Sequence, residues 1–270
     1  MNEIPRFSFN HKKEAAYRYF NENGCVIFRD LIEEKYSDKI ITELQSAIQY
    51  QVQKHLNSSK QDFLVANDFD RGLIELARYN DTLRERLYNI IQRLPSLSNF
   101  MAHPNFIQIA KELGMSEPIY LAPHIRMDLP NEEKFLIPPH QEIRGTRSPN
   151  MIFMITALVD TDKKKGALLV APGSHKLGPL LPKTNNDIRY QYELMPEQYQ
   201  SLYPIQQVPL HKYETIVLNM YTVHGSSPNN SLETRWSTAV RFEDFKNMPY
   251  LDGDDTLDKK FNLKGFYSKT

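Results

Sequence analysis

The chain has a single cysteine, Cys25, among its 270 residues. One thiol cannot close a disulfide within a chain or build a cysteine-ligated zinc site. This scarcity predicts a reducing compartment and a cytoplasmic protein. Cys25 sits in the apolar run Gly24-Cys25-Val26-Ile27-Phe28 and reads as a small buried hydrophobe, not a nucleophile. An excess of either charge is also missing, since Lys+Arg and Asp+Glu each number 33. Such a balance gives no electrostatic footprint for nucleic acid or an acidic membrane, and neither is expected as a partner. No apolar run approaches the roughly 18 residues of a membrane span. The opening MNEIPRFSFNHKKE lacks the apolar stretch of a secretion signal. The sequons at Asn57, Asn80 and Asn229 therefore predict no glycosylation. Internal repeats and low-complexity tracts are absent as well.

The patterning that is present changes character once along the chain. Residues 1–115 read as mainly helical. Glu14 to Asn21 is a short helix ended by Asn23-Gly24. The stretch from Glu33 to His55 carries Ile40, Ile41, Leu44, Ile48 and Val52, mostly at helical spacing, and residues 70–93 repeat the pattern. Phe106 to Leu113 adds a further helix before Gly114, and CVIFRDLI is a strand candidate between the first two helices. From Pro118 the chain breaks into short apolar runs separated by turn residues: IYLAPHIRMDL, KFLI, NMIFMITALV, GALLVAP, IQQVPL, TIVLNMYTVH and STAVRF. Short strands at that spacing predict an antiparallel barrel or a double-sheet jelly roll. The expected fold class is therefore mainly β with helical additions. One domain is expected over residues 1–270, with a core at 116–245 and an extension at 246–270. Residues 184–189 read as a polar loop and 251–260 as an acidic-then-basic surface segment.

One tripeptide carries chemistry, His140-Gln141-Glu142, together with His224 and with Arg235 eleven residues beyond it. Residues i and i+2 of a strand share a side, so His140 and Glu142 would face one cavity. Gln141 would point away unless the backbone turns there. Two imidazoles and one carboxylate are the set that holds non-haem Fe(II) with positions left open. A guanidinium beyond the second histidine suits the remote carboxylate of a dicarboxylic acid. Alone, a His-x-Glu pair carries little, because eight histidines make one such pair expected by chance.

Context raises it. Residues 166–178 read GALLVAPGSHKLG and residues 224–235 read HGSSPNNSLETR. With His-Gln-Glu upstream, the chain resembles the phytanoyl-CoA dioxygenase (PhyH) family of iron and 2-oxoglutarate oxygenases over roughly residues 118–245. NENGCVIFRDLI resembles the family's opening strand before its first long helix. The resemblance implies a double-stranded β-helix, a cupin-like jelly roll, with an N-terminal helical region. It implies His140, Glu142 and His224 as Fe(II) ligands and Arg235 as the grip on 2-oxoglutarate, with molecular oxygen as the third reactant. Ser226, Ser237 and Gln141 match family positions near the cofactor.

Two positions depart from the pattern. Glu142 stands where the family usually has Asp, and Ile155 stands where many relatives carry Trp. The presence of a carboxylate disfavours halogenation, since family halogenases replace it with a small residue. Outside the motif, His124, Arg126 and Asp128 share one strand face, and Arg126 is either a contact for an anionic substrate or half of a salt bridge. His175 reads as a brace for its turn and Trp236 as core packing. The expected activity is hydroxylation of a small-molecule metabolite. Desaturation or oxidative cyclisation on the same site is the alternative within enzymes, and a jelly-roll binding protein is the alternative outside them. A monomer or a homodimer is expected.

Overall fold

The computed structural model describes residues 3–11, 13–56, 67–182 and 193–257. The sequon at Asn57, the loop 184–189 and the last residues of 251–260 lie outside them. In chain order the elements open with β1 (Arg6–Phe7), α1 (Lys13–Asn23), β2 (Cys25–Phe28) and α2 (Glu34–His55). Then come α3 (Leu73–Tyr79), α4 (Asp81–Ile91), α5 (Pro95–Met101) and α6 (Pro104–Glu112). The strands β3 (Pro118–Asp128), β4 (Met151–Ala157), β5 (Leu168–Val170), β6 (Gln206–Val208), β7 (Thr215–Asn219), β8 (His224–Ser226) and β9 (Arg235–Asp244) follow. No helix among the described residues is long and apolar enough to cross a membrane.

The strands form two sheets, ordered β1-β2-β7-β4-β9-β3 and β6-β5-β8. The larger sheet packs on both faces, which is why β4 is buried at every position and apolar at all but Thr156. Its alternate residues serve two cores. Val26, Phe28, Ile152, Met154, Val217 and Phe242 pack with the helices, among them Ile40, Leu44 and Ile48 of α2. Cys25, Ile27, Phe153, Ile155, Ile216 and Leu218 pack on the opposite side with Val170 and Val208 of the smaller sheet. Cys25 is fully buried there, and burial pushes its thiol up to about 12.

Three sequence expectations are revised. The helix over 70–93 is two helices, because Asn80 is extended and its side chain caps α4, accepting from Thr82 N at 2.9 Å. The run KFLI is not a strand; Glu133–Phe135 form a single tight turn. TIVLNMYTVH is not one strand either. A turn held by Asn219 Oδ1, which accepts from Tyr221 N at 2.9 Å, separates β7 in the larger sheet from β8 in the smaller one. That crossing places His224 on the smaller sheet, facing the larger sheet's inner residues. The helix α5 was not expected, although Pro95 at its first turn is an ordinary start signal.

Candidate metal centre

His140, Gln141 and Glu142 follow the Pro138-Pro139 pair and lie outside any named strand. His224 positions this segment: His140 N donates to His224 O at 2.8 Å, and His224 N donates back to His140 O at 3.0 Å. Glu142 N then donates to Met220 O at 2.9 Å. Gly225 permits this approach, because a Cβ there would lie 3.0 Å from the Ile137 carbonyl oxygen and from Pro139 N. The two-residue alternation survives without a strand. His140 and Glu142 turn to the cavity and the Gln141 amide turns away.

The three buried side chains converge. Glu142 Oε1 is 3.4 Å from His140 Nε2 and 3.4 Å from His224 Nε2. Each imidazole is fixed by its other nitrogen: His140 Nδ1 donates to Pro138 O at 2.9 Å, and His224 Nδ1 to Thr222 O at 3.0 Å. With Nδ1–H as the donor, each neutral ring presents an Nε2 lone pair to the same point. Burial, and then His224, hold the His140 pKa below the ordinary histidine value, which favours the neutral ring. Burial alone would raise Glu142, but Arg241 and the two histidines outweigh it and hold the carboxyl well below its usual range. The result is a buried carboxylate facing two imidazole nitrogens whose opposite ring nitrogens are already engaged. His224 Nε2 is buried and without a hydrogen-bond partner, a state that costs about 1–3 kcal/mol. A cation at the centre satisfies all three atoms, and this donor set fits Fe(II) with open positions.

Arg241, which sequence reasoning did not single out, completes the centre. Its Nε donates to Glu142 Oε2 at 2.6 Å and its Nη2 to Oε1 at 3.0 Å. Its guanidinium lies 4.6 Å from the centroid of Phe153, and that ring lies 5.5 Å from His224. The signal was present in the alternation of β9, where Arg235, Ser237, Ala239 and Arg241 all line the cavity.

The cavity holds about 290 Å³ between the two sheets. All eight expected site residues line it: His140, Gln141, Glu142, His224, Arg235, Ser226, Ser237 and Arg126. Arg235 is buried and engaged. Asp128 Oδ2 accepts from its Nε at 3.1 Å and its Nη2 at 2.6 Å, and the Gly166 carbonyl accepts from Nη1. Asp128 Oδ1 accepts from Arg126 at 2.5 Å. Burial opposes the charge on Asp128, but Arg126 and Arg235 prevail and lower its pKa to about 2. Arg126 also donates to Phe135 O at 3.2 Å; it forms the salt bridge of the second sequence reading and stands in the cavity wall.

The Gln141 amide is used elsewhere. It donates to Gly178 O at 2.8 Å and Tyr221 O at 2.7 Å and accepts from Leu180 N at 2.8 Å. These bonds tie its amide to the backbone of two loops, while the residue still lines the cavity. His175 packs against Gly24 and reaches Asn21 O at 3.1 Å, tying its turn to the end of α1. Trp236, on the other face of β9, is fully buried and donates to Asp70 at 2.7 Å. Asn229 is buried and donates to the Asp128 and Glu233 carbonyls, so its sequon is a structural loop clasp.

Comparison with known proteins agrees with this geometry. The profile of the family described as phytanoyl-CoA dioxygenase (PhyH) matches residues 20–237. No curated protein matches the chain by sequence. Among solved structures, AviO1 from Streptomyces viridochromogenes Tue57 is similar with a TM-score of 0.57 at 17% identity, over 88% of this chain and 97% of that one. SnoK, a non-haem alpha-ketoglutarate-dependent carbocyclase from nogalamycin biosynthesis, gives 0.57 at 18% identity, over 89% and 87%. The epimerase SnoN, solved with Fe3+, alpha-ketoglutarate and nogalamycin RO, gives 0.54 at 19% identity, over 90% and 92%. Identities this low speak for a shared fold.

Proposed function

The chain belongs to the phytanoyl-CoA dioxygenase (PhyH) family, and on that premise we propose an iron(II)- and 2-oxoglutarate-dependent oxygenase that hydroxylates an unactivated C–H bond of a small-molecule metabolite. The observation that carries the proposal is the convergence of His140 Nε2, His224 Nε2 and Glu142 Oε1 with their lone pairs turned inward. We read the two facing sheets as a double-stranded β-helix, with the site between them.

Bound iron, with 2-oxoglutarate and oxygen, supplies an oxidant able to take hydrogen from an unactivated carbon. The protein's part is to place and protect that chemistry. His140 and His224 hold the metal through nitrogens whose opposite sides are pinned to carbonyls, and Glu142 supplies the neutralising charge. Arg235 has five N–H donors. Asp128 and the Gly166 carbonyl occupy three of them, which leaves one on each terminal nitrogen for the distal carboxylate of 2-oxoglutarate. Arg126 acts through Asp128, which it shares with Arg235. Ser226 and Ser237 line the same cavity as the triad and Arg235. Phe153, Ile155, Leu168 and Val208 give the cavity an apolar wall that limits water around the reacting carbon.

Desaturation or cyclisation is the second reading, favoured by one observation: the solved relatives of this fold include a carbocyclase and an epimerase. Each outcome begins from the same placed C–H bond. Succinate formation that requires iron, 2-oxoglutarate and oxygen together tests the enzyme. Its absence in metal-loaded protein would leave a binding protein on the same fold. Product mass separates the enzymatic readings, with a gain of one oxygen for hydroxylation and a loss of two hydrogens for desaturation or ring closure.

A further inference from the structure

Glu142 is longer by one methylene than an aspartate, and a long carboxylate beside a metal can deliver one oxygen or both. Delivery of both consumes a coordination position that the co-substrate or oxygen needs. In this structure the two oxygens are not equivalent. Oε1 faces both histidine nitrogens at 3.4 Å, whereas Oε2 is turned away and accepts from Arg241 Nε at 2.6 Å. Arg241 is itself held in place. Its strand pairs so that Arg241 lies opposite Phe153 of β4, and its guanidinium rests 4.6 Å from that ring. The second donor, Nη2, reaches Oε1 at 3.0 Å. A metal drawing on Oε1 leaves the shorter bond to Oε2 intact.

We propose that Arg241 is a positioning residue that keeps Glu142 a one-oxygen ligand by occupying Oε2, and so preserves an open position at the metal. The proposal rests on the metal reading of the triad given above. Charge-assisted hydrogen bonds to a carboxylate are among the strong ones, and freeing Oε2 for the metal means breaking one. Arg241→Leu removes the hold at a half-buried position where an apolar side chain fits the Phe153 surface. In that variant Oε2 joins Oε1 on the metal and displaces a water. Arg241→Lys keeps a cation within reach of Oε2.

The test loads Mn(II) into wild type, Arg241→Leu and Arg241→Lys, and counts exchangeable metal-bound waters by water-proton relaxation. Arg241→Leu is expected to bind Mn(II) at least as tightly as wild type, with one water fewer, and Arg241→Lys to regain that water. 2-Oxoglutarate should then bind the Arg241→Leu metal site on the order of tenfold more weakly, because it must displace a carboxylate oxygen. A reduced affinity with an unchanged water count would reflect lost positive charge only and would overturn the proposal. Wild type that takes up no Mn(II) at the triad would overturn the metal reading itself, whereas wild type that binds normally with the same water count as Arg241→Leu overturns only the role of Arg241.

Discussion

Asp128 and Arg235 form a buried two-point ion pair, with Oδ2 accepting from Nε at 3.1 Å and from Nη2 at 2.6 Å. The residue expected to grip a co-substrate is thus already half-committed to a protein carboxylate 107 positions away. Asp128 in turn joins β3 to β9 and ties Arg126 to Arg235. It fixes the plane of the Arg235 fork before any ligand arrives, which reduces what is lost on binding.

This pair gives stability a pH dependence. Asp128 has a pKa lowered from 3.8 to about 2. A carboxylate lowered in the folded state stabilises above its unfolded pKa and loses that contribution as pH falls through the folded one. Asp128→Asn should therefore cost about 2 kcal/mol near neutrality. The gap from wild type should narrow between pH 4 and pH 2. Urea denaturation of both proteins at pH 7 and pH 3 checks this; a gap of constant size would mean that the charge on Asp128 contributes nothing.

The convergent acceptors of the triad predict stabilisation by metal. A ligand at a hundredfold its Kd adds roughly 2.7 kcal/mol. For a chain of this size each kcal/mol moves Tm by roughly 2–4 °C. Fe(II) without oxygen, or Ni(II) as a stable substitute, should raise Tm accordingly in wild type. The rise should vanish in His140→Ala and in His224→Ala. An equal shift in either variant would place the metal elsewhere.

Glu142→Asp restores a shorter carboxylate on a backbone set by the His140–His224 ladder. Pulling the oxygens back widens the 3.4 Å separations from both imidazoles and draws Oε2's replacement off Arg241. Weakened but measurable metal binding with reduced turnover is expected. Glu142→Ala should bind metal still less well. Calorimetric titration of Ni(II) into both variants decides it, and equal affinity in the two would remove the carboxylate from the metal's ligands.

Much of the site was legible because its parts are local in sequence. His-x-Glu and the step from His224 to Arg235 survive as patterns whatever the chain does between them. The two faces of the larger sheet were not legible as such. β4 is buried at every position and apolar at all but Thr156, so no alternation shows which residues meet the helices and which meet the cavity. TIVLNMYTVH reads as one run because Met220 and Val223 are also buried, and only the turn at Asn219 reveals that it crosses between sheets. Asn80 falls within the helical pattern of residues 70–93, which does not show that its side chain caps a second helix there. Arg241, and the pairing of Asp128 with Arg235, escaped because they depend on partners 99 and 107 residues away. The turning of the Gln141 amide away from its two neighbours, toward Gly178 and Leu180, was legible in the two-residue alternation.

The central claim is that one cavity holds Fe(II) on the triad and 2-oxoglutarate between that metal and Arg235. Anaerobic titration of 2-oxoglutarate into Fe(II)-loaded protein tests it, followed by the metal-to-ligand charge-transfer band. Arg235→Lys is the informative variant, because it keeps a cation beside Asp128 while losing the fork; Arg235→Ala also strands Asp128. Hydrogen bonds to charged groups are worth roughly 1.5–3 kcal/mol, and each ~1.4 kcal/mol is a factor of ten in affinity. The account predicts a saturable band in wild type, and a midpoint raised by on the order of tenfold to a hundredfold in Arg235→Lys with iron affinity unchanged. No band in iron-loaded wild type, or the same midpoint in both proteins, would contradict it.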